Sequence, residues 1–113
     1  MLQEYIGMKC IDLDKPHQFF FETLGNQTRW DIVHLLLSKP YRATDIADKL
    51  GYEQSLVSHH LKRLETCGFV KAATNGTERI YRLNKETIAP LLKLVDGHVN
   101  KFCKKACTKL KDK

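Results

Sequence analysis

Apolar residues recur at helical spacing along most of the chain. In residues 27–39 the positions Trp30, Val33 and Leu37 stand at i, i+3 and i+7, which is the spacing of one helix face. Asn26 directly precedes this segment and is a favourable capping residue, so an amphipathic helix is predicted to begin there. Two shorter helices are predicted from their capping and terminating residues; they begin at Asp14 and Thr44 and end at Gly25 and Gly51.

The segment SLVSHHLKRLETCGFV, residues 55–70, combines an apolar stripe with a polar face. Val57, Leu61 and Leu64 fall on the stripe. The opposite face is predicted to carry Ser55, Ser58, His59, Lys62 and Arg63. His60 lies at the edge of the stripe, so we expect a packed histidine. Side chains that point outward from one helix rarely converge as a nucleophile, a base and an acid must, which disfavours an enzyme.

The middle of the chain has the pattern of a winged helix-turn-helix. A short helix, a four-residue turn that begins with Gly51, and a second helix form the arrangement in which the second helix enters the DNA major groove. The runs FVKAAT and TERIYRL flank Asn75 and Gly76, which predicts a β-hairpin with a type I′ turn. YRA, residues 41–43, is predicted as a very short strand. The predicted fold is mainly α with a small β-hairpin.

Residues 85–111 have a helical pattern in which apolar residues recur at alternating steps of four and three. These residues are Ile88, Leu92, Val95, Val99, Phe102 and Ala106. Such a heptad seam favours a partner helix, and a small domain with a long helix favours dimerisation over packing on its own domain. Pro90 fits only within the first turn or two. We predict an N-terminal arm (1–13), a winged helix-turn-helix domain (14–84) and a C-terminal dimerisation and sensor helix with a lysine-rich end (85–113).

The charge of the chain favours a polyanionic partner without locating its binding surface. The 113 residues carry a net charge of +6 and have a pI of about 9.2. Six lysines lie within the last fifteen residues, where Asp112 is the only acidic residue. The sequence has no long apolar segment, so we expect a cytoplasmic protein with no membrane partner. It has no H-E-x-x-H motif, glycine-rich phosphate loop or plausible triad, so we expect no enzyme.

The sequence resembles the ArsR/SmtB family of winged-helix, metal-responsive repressors. LGNQTRWDIVHLL is similar to the family's second helix, ATDIADKLGYEQSLVSHHLKRLETCGFV to its helix-turn-helix, and ERIYRLN to its second wing strand. The resemblance covers nearly all of residues 14–111. It implies a homodimeric, autoregulatory repressor that leaves its double-stranded DNA operator when an effector binds.

The resemblance also implies a set of DNA-contacting residues. The matching positions on the second helix are Gln54, Ser55, Ser58, His59, Lys62 and Arg63, and the candidate on the wing is Arg79. Glutamine can pair bidentately with adenine, serine and histidine can donate to base edges, and lysine and arginine neutralise phosphate. For Arg79, a solvated arginine on a strand is the alternative.

Two cysteines predict a site for a soft ion. Cys103 and Cys107 stand one helical turn apart, so their thiols can converge on one ion. The expected ions are zinc, cadmium and copper(I), to which the resemblance adds arsenite, and none is needed for folding. In a reducing compartment, four cysteines are more typical of free thiols, metal ligands or redox sensors than of structural disulfides.

The element Asp96-x-His98 is similar to the start of the family's intersubunit helix site. Cys107 and Leu110 stand where that site has histidine and either histidine or glutamate, so the implied four-ligand zinc site is incomplete. Asp96 and Cys107 lie about 16 Å apart along one helix, which is too far for one ion, whereas an antiparallel dimer brings them together. The alternative is a site with more thiol ligands, formed by Cys103, Cys107 and Cys10 of the N-terminal arm. The candidate metal ligands are Cys103, Cys107, Asp96, His98 and Cys10.

Two other functions remain open at this point. One is a thiol-redox-responsive repressor of the same fold. A disulfide between Cys103 and Cys107 is disfavoured in an intact helix, because Cβ atoms about 6 Å apart exceed the roughly 3.8 Å of a disulfide. Oxidation would distort the helix or recruit Cys10. The other function is a winged-helix interaction module without a sensor.

Overall fold

The computed structural model describes the backbone of residues 10–106 and the side chains of residues 15–106. Within this range the helices are α1 (Cys10–Leu24), α2 (Gln27–Leu36), α3 (Ala43–Leu50), α4 (Gln54–Thr66) and α5 (Ile88–His98), and the strands are β1 (Tyr41–Arg42), β2 (Val70–Asn75) and β3 (Glu78–Leu83). A π-helical turn, Val99–Cys103, continues α5. The Cys10 side chain, Cys107 and most of the predicted arm and lysine-rich end lie outside the described residues.

The helix-turn-helix and the wing have the predicted topology. Helices α3 and α4 are the two helices of the motif, and β1, β3 and β2 form an antiparallel sheet in that order. The two-residue β1 is the predicted short strand; Tyr41 pairs with Tyr81 of β3. The fold is a mainly helical winged helix-turn-helix. No helix within the described part of the chain is long and apolar enough to cross a membrane.

The hairpin is confirmed, but its turn is displaced by one residue from the predicted turn. Asn75 is the last residue of β2 and pairs with Glu78, so Gly76 and Thr77 form the turn. Gly76 has a φ of +71°, and no residue other than glycine has a positive φ within the described residues. A type I′ turn needs positive φ at both central positions, whereas glycine alone at the first one is typical of type II′.

Local chemistry correctly predicted two helix ends. The Asn26 side chain accepts a hydrogen bond of 3.0 Å from the backbone N–H of Arg29, which makes it the N-cap of α2. Gly51 ends α3 with a left-handed φ of 75°.

Two predicted helix starts were wrong. Helix α1 begins at Cys10, so the predicted boundary at Asp14 falls inside it and Pro16 lies within the helix. A proline inside a helix removes one backbone donor and its ring crowds the carbonyl four residues earlier, which can kink a helix without ending it. Helix α3 begins at Ala43 and Thr44 lies in its first turn, because the chain enters the helix directly from β1.

The core lies between α2, α3, α4, the wing strands and the start of α5. It consists of Ile32, Val33, Leu36, Ile46, Ala47, Val57, Leu61, Leu64, Phe69, Val70, Leu83, Ile88 and Leu92. The predicted stripe of α4 supplies three of these residues, each with no exposed surface. Burial of the stripe fixes which face of α4 points outward.

The C-terminal helix differs from the single regular helix that was predicted. It begins at Ile88, so Pro90 lies in its first turn as expected, and it changes to a π-helical turn at Val99. A π-helical turn contains more residues than an α-helical turn, so it shifts the heptad seam. Ile88 and Leu92 pack in the core of their own domain, whereas Phe102 is 58% exposed. Only the later part of the seam is therefore available to a partner.

Candidate nucleic-acid interface

The outer face of α4 carries most of the predicted DNA-contacting residues. The exposed side chains are those of Gln54, Ser55, Ser58, His59 and Lys62. They point outward because the opposite stripe of α4 is buried in the core. A surface made of one amide, two hydroxyls, an imidazole and an ammonium group can form hydrogen bonds with base edges and neutralise phosphate.

An open groove of about 310 Å³ separates this face of α4 from the wing and the start of α3. The residues that line it are Arg42, Ala43, Thr44, Gln54, Ser58, Thr77, Glu78, Arg79 and Tyr81. The predicted residues Gln54, Ser58 and Arg79 therefore share one surface. Sequence reasoning missed Arg42 and Glu78, which join this surface through the pairing of β1 with β3, and it named Thr44 only as a helix start.

The two arginines of the groove are already paired with carboxylates. Arg42 donates from Nε to Asp45 at 2.9 Å and also forms an ion pair with Glu78. The hydrogen bonds that Arg42 donates to Asp45 and Glu78 raise the pKa of Arg42, and the bond from Arg42 lowers the pKa of Asp45. Arg79 lies 3.2 Å from a carboxylate oxygen of Glu65. A phosphate that binds here competes with a carboxylate at each guanidinium.

Arg63 does not lie on the outer face where the sequence placed it. Its Nε donates a hydrogen bond of 3.0 Å to the Thr23 hydroxyl of α1, and its guanidinium lies 4.1 Å from the centre of the Phe19 ring. The position at the edge of the stripe lets the long side chain reach α1 instead of solvent. Of the predicted basic pair, Lys62 is exposed and Arg63 is half-buried.

A buried polar junction lies behind the outer face, between α1, α2 and α4. His60 is 8% exposed, which confirms the prediction of a packed histidine. Its Nδ1 lies 3.0 Å from Nη1 of Arg29, which is itself 9% exposed. Sequence reasoning missed Arg29, because a helical arginine is expected on the surface unless its distant partner, here His60, is known.

The candidate metal ligands whose side chains the structure describes, Asp96, His98 and Cys103, are not brought together within one chain. Asp96 accepts hydrogen bonds of 3.0 and 3.1 Å from Nε2 of His34, a residue of α2 that sequence reasoning did not single out. His98 is exposed and its ring lies 5.0 Å from that of Phe102, and Cys103 is an exposed free thiol. Among the side chains of residues 15–106, no three His, Cys, Asp or Glu residues are placed to hold a metal ion. The described residues alone do not form the expected site.

Comparisons with known proteins identify the family. Residues 26–72 match the bacterial regulatory protein family arsR. The uncharacterized HTH-type transcriptional regulator MJ1325 of Methanocaldococcus jannaschii is 35% identical over 77 residues, which are 67% of this chain and 86% of that protein. The chain belongs to the arsR family. A probable mercury resistance operon repressor of Streptomyces lividans is 29% identical over 75 residues, 66% of this chain and 60% of that protein.

The fold of a solved winged helix-turn-helix domain agrees with this assignment. The homodimeric winged helix-turn-helix DNA-binding domain of Mb0332 from Mycobacterium bovis, a possible ArsR-family regulator, superposes with a TM-score of 0.76. The two chains are 27% identical, and the superposition covers 84% of this chain and 90% of that one.

The family match covers helix α4 but not the candidate metal ligands of the C-terminal helix. The matched residues 26–72 run from the cap of α2 to the beginning of β2, so they include Arg29 and all of α4. Asp96, His98 and Cys103 lie beyond the match. Family membership therefore supports DNA binding by α4 more directly than it supports any particular effector.

Proposed function

We propose that this chain is a homodimeric transcriptional repressor that binds a double-stranded DNA operator through the outer face of α4. The observation that carries the proposal is the outward row of hydrogen-bonding side chains on the second helix of a helix-turn-helix. This helix is the one that enters the major groove in such motifs. Arg79 and Lys62 would contact phosphates on either side of the base-reading residues.

The exposed apolar residues support the homodimer. Phe102 is 58% exposed, Leu94 is 74% exposed and Phe21 of α1 is 65% exposed. Phe102 belongs to the predicted heptad seam, and a seam that its own domain leaves exposed favours a partner helix. The solved domain of Mb0332 is described as homodimeric, and it shares the fold of this chain. A dimer would present two reading helices to two half-sites of an operator.

The effector in this proposal is a soft metal or metalloid ion bound by Cys103 and Cys107. The support is the exposed free thiol of Cys103 and the similarity to a probable mercury resistance operon repressor. Asp96, His98 and Cys10 are the further candidate ligands. Because the described residues of one chain do not complete a site, the proposal requires ligands from a second copy or from outside the described range. Zinc, cadmium, copper(I) and arsenite suit thiolate ligands.

Operator binding with and without effector tests the function. A duplex is first selected from a randomised pool with the reduced protein, and its affinity is then measured with zinc, cadmium, copper(I) or arsenite added. We expect sequence-specific binding that one ion changes at least about tenfold, a coupling of about 1.4 kcal/mol. The change should disappear in the double variant Cys103→Ser with Cys107→Ser and persist in Cys67→Ser, since Cys67 is half-buried beside the core.

Three results would contradict parts of the proposal. Binding without sequence preference would favour an interaction module over a repressor. Specific binding that no ion alters would remove the metal effector. A response to peroxide that dithiothreitol reverses, and that Cys103→Ser abolishes, would instead favour the thiol-redox repressor, for which the exposed Cys103 thiol is the supporting observation.

A further inference from the structure

A buried guanidinium joins three helices behind the outer face of α4. Arg29 of α2 donates hydrogen bonds to the carbonyl oxygens of Thr23 at 2.7 Å and Glu22 at 3.2 Å, in the last turn of α1. Its third bond, of 3.0 Å, goes to Nδ1 of His60 in α4. These three partners are two carbonyls and an imidazole, so none of them carries a negative charge. The arrangement holds the end of α1 and the inner side of α4 to one side chain.

The bond between Arg29 and His60 sets the protonation of the imidazole. A guanidinium has only donors, so Nδ1 of His60 must accept, and the ring is neutral with its proton on Nε2. A proton on Nδ1 would break this bond and place a second positive charge beside a buried cation.

The surroundings of His60 favour the neutral ring. Burial lowers the pKa of His60 below its usual value, and the nearby charges of Arg29, His59 and Arg63 lower it further. Arg29 approaches from α2, while His59 and Arg63 lie on α4 itself. Helix α1 contributes Thr23, whose hydroxyl is bonded to Arg63. None of these groups is acidic, so nothing among them stabilises an imidazolium ion.

We propose that Arg29 and His60 are a positioning pair for DNA reading, and that protonation of His60 releases α4 and weakens DNA binding. The proposal rests on the proposed DNA-binding function. His60 directly follows His59 and lies two residues after Ser58, so a displacement of the His60 backbone moves both groups on the outer face. A shift of about 1 Å is enough to disrupt direct readout, because hydrogen bonds to base edges weaken steeply with distance and angle.

The neighbouring histidine must be removed before the effect of His60 on DNA binding can be measured. His59 is exposed on the outer face of α4, where a charge would act directly on nearby phosphates. The effect of His60 is therefore measured in a His59→Asn background, where the contribution of His59 is absent.

The experiment compares this background with the double variant His59→Asn with His60→Asn. Asparagine offers a carbonyl oxygen near the position of Nδ1 but does not titrate. We expect the dissociation constant of the background for a selected duplex to rise about two- to fivefold from about pH 7.5 to about pH 5.5. The rise is smaller than the roughly tenfold expected for a histidine with an unshifted pKa, because the pKa of His60 is lowered. The double variant should lose this rise. Arg29→Lys, which keeps the charge but not the fork of donors, should weaken binding at the higher pH.

A measurement without DNA separates the two proposals. Nitrogen NMR of the imidazole at about pH 7.5 should show His60 unprotonated at Nδ1 and protonated at Nε2. A proton on Nδ1 would show that His60 does not accept a hydrogen bond from Arg29, and this would overturn the proposal whether or not the chain binds DNA. The expected tautomer together with equal pH profiles for the background and the double variant would overturn the positioning role. The expected tautomer in a chain that selects no duplex would refute DNA binding and, with it, the positioning role.

Discussion

Helix α4 and the C-terminal helix are both amphipathic, but a single chain buries the whole apolar face of α4 and only part of that of the C-terminal helix. Val57, Leu61 and Leu64 give α4 a fully buried side, so its polar side has a defined direction. The C-terminal helix is buried at Ile88 and Leu92, but Leu94 is 74% exposed. The residues of α4 that would contact DNA share one face. The candidate metal ligands within the described residues do not converge.

This difference separates two kinds of functional surface. A DNA-reading face needs one well-anchored helix, because the ligand supplies the complementary geometry. A metal site needs three or four ligands from one protein or assembly around a single point. In the C-terminal helix, Cys103 is an exposed free thiol, whereas the Asp96 carboxylate is paired with His34 of α2. We therefore expect substitutions in α4 and in the C-terminal helix to affect different measurements.

The largest contrast should appear in folding stability. Leu64→Ala removes a side chain with no exposed surface, so it should lower the free energy of unfolding by about 2–5 kcal/mol. Leu94→Ala makes the same chemical change on an exposed surface and should alter it by less than about 0.5 kcal/mol. Urea denaturation at a concentration where the protein is monomeric measures both. Equal losses would mean that Leu94 is buried within one chain, contrary to the structure.

The next largest effect should be on sequence-specific binding. Gln54→Ala removes an exposed amide from the outer face of α4, which should weaken binding to the selected duplex by about 1–3 kcal/mol and relax the base preference at one position. Gln18→Ala is the matched control, since Gln18 is exposed on α1 and bonds to Glu22 of the same helix. Competition with duplexes altered at single positions measures the effect. A uniform loss for all duplexes would assign Gln54 to phosphate contact instead.

The sequence predicted those parts of the structure that depend on neighbouring residues. The stripe of α4, the Asn26 cap and the left-handed Gly51 follow from side chains within a few positions of one another. The hairpin was predicted for the same reason, and its turn was displaced by one residue because strand pairing extends through Asn75.

The missed residues depend on partners that are distant along the chain. Arg29 bonds to a residue 31 positions away, and His34 bonds to one 62 positions away. Arg42 pairs with Glu78, 36 positions away, in addition to its local bond with Asp45. Only the local Arg42 pair, at a spacing of three, had a signal in the sequence. Such pairs become visible only once the packing of the helices and the wing is known.

A smaller effect, on the salt dependence of DNA binding, should distinguish the protein groove between α4 and the wing from the outside of the wing. Arg42→Gln should reduce the slope of log affinity against log salt by about 0.9, if Arg42 exchanges Glu78 for a phosphate when DNA binds. Arg82→Gln removes the same charge from the wing but outside the groove, so it should leave the slope nearly unchanged. Affinities at several salt concentrations provide the slopes. Equal reductions in the two variants would mean that the wing acts only through its total charge.

The smallest effect concerns the contact of the C-terminal helix with the rest of its own chain. His34 and Asp96 form a half-exposed pair between α2 and α5, and such pairs contribute about 0–1 kcal/mol to stability. A double-mutant cycle with His34→Gln, Asp96→Asn and both together should give a coupling of about 0.2–1 kcal/mol, measured by urea denaturation. Both oxygens of Asp96 face Nε2 of His34, so a carboxylate in this position is already engaged within one chain. A coupling of zero would mean that Asp96 is free in solution, and the C-terminal helix beyond Leu92 would then be held less firmly than the structure indicates.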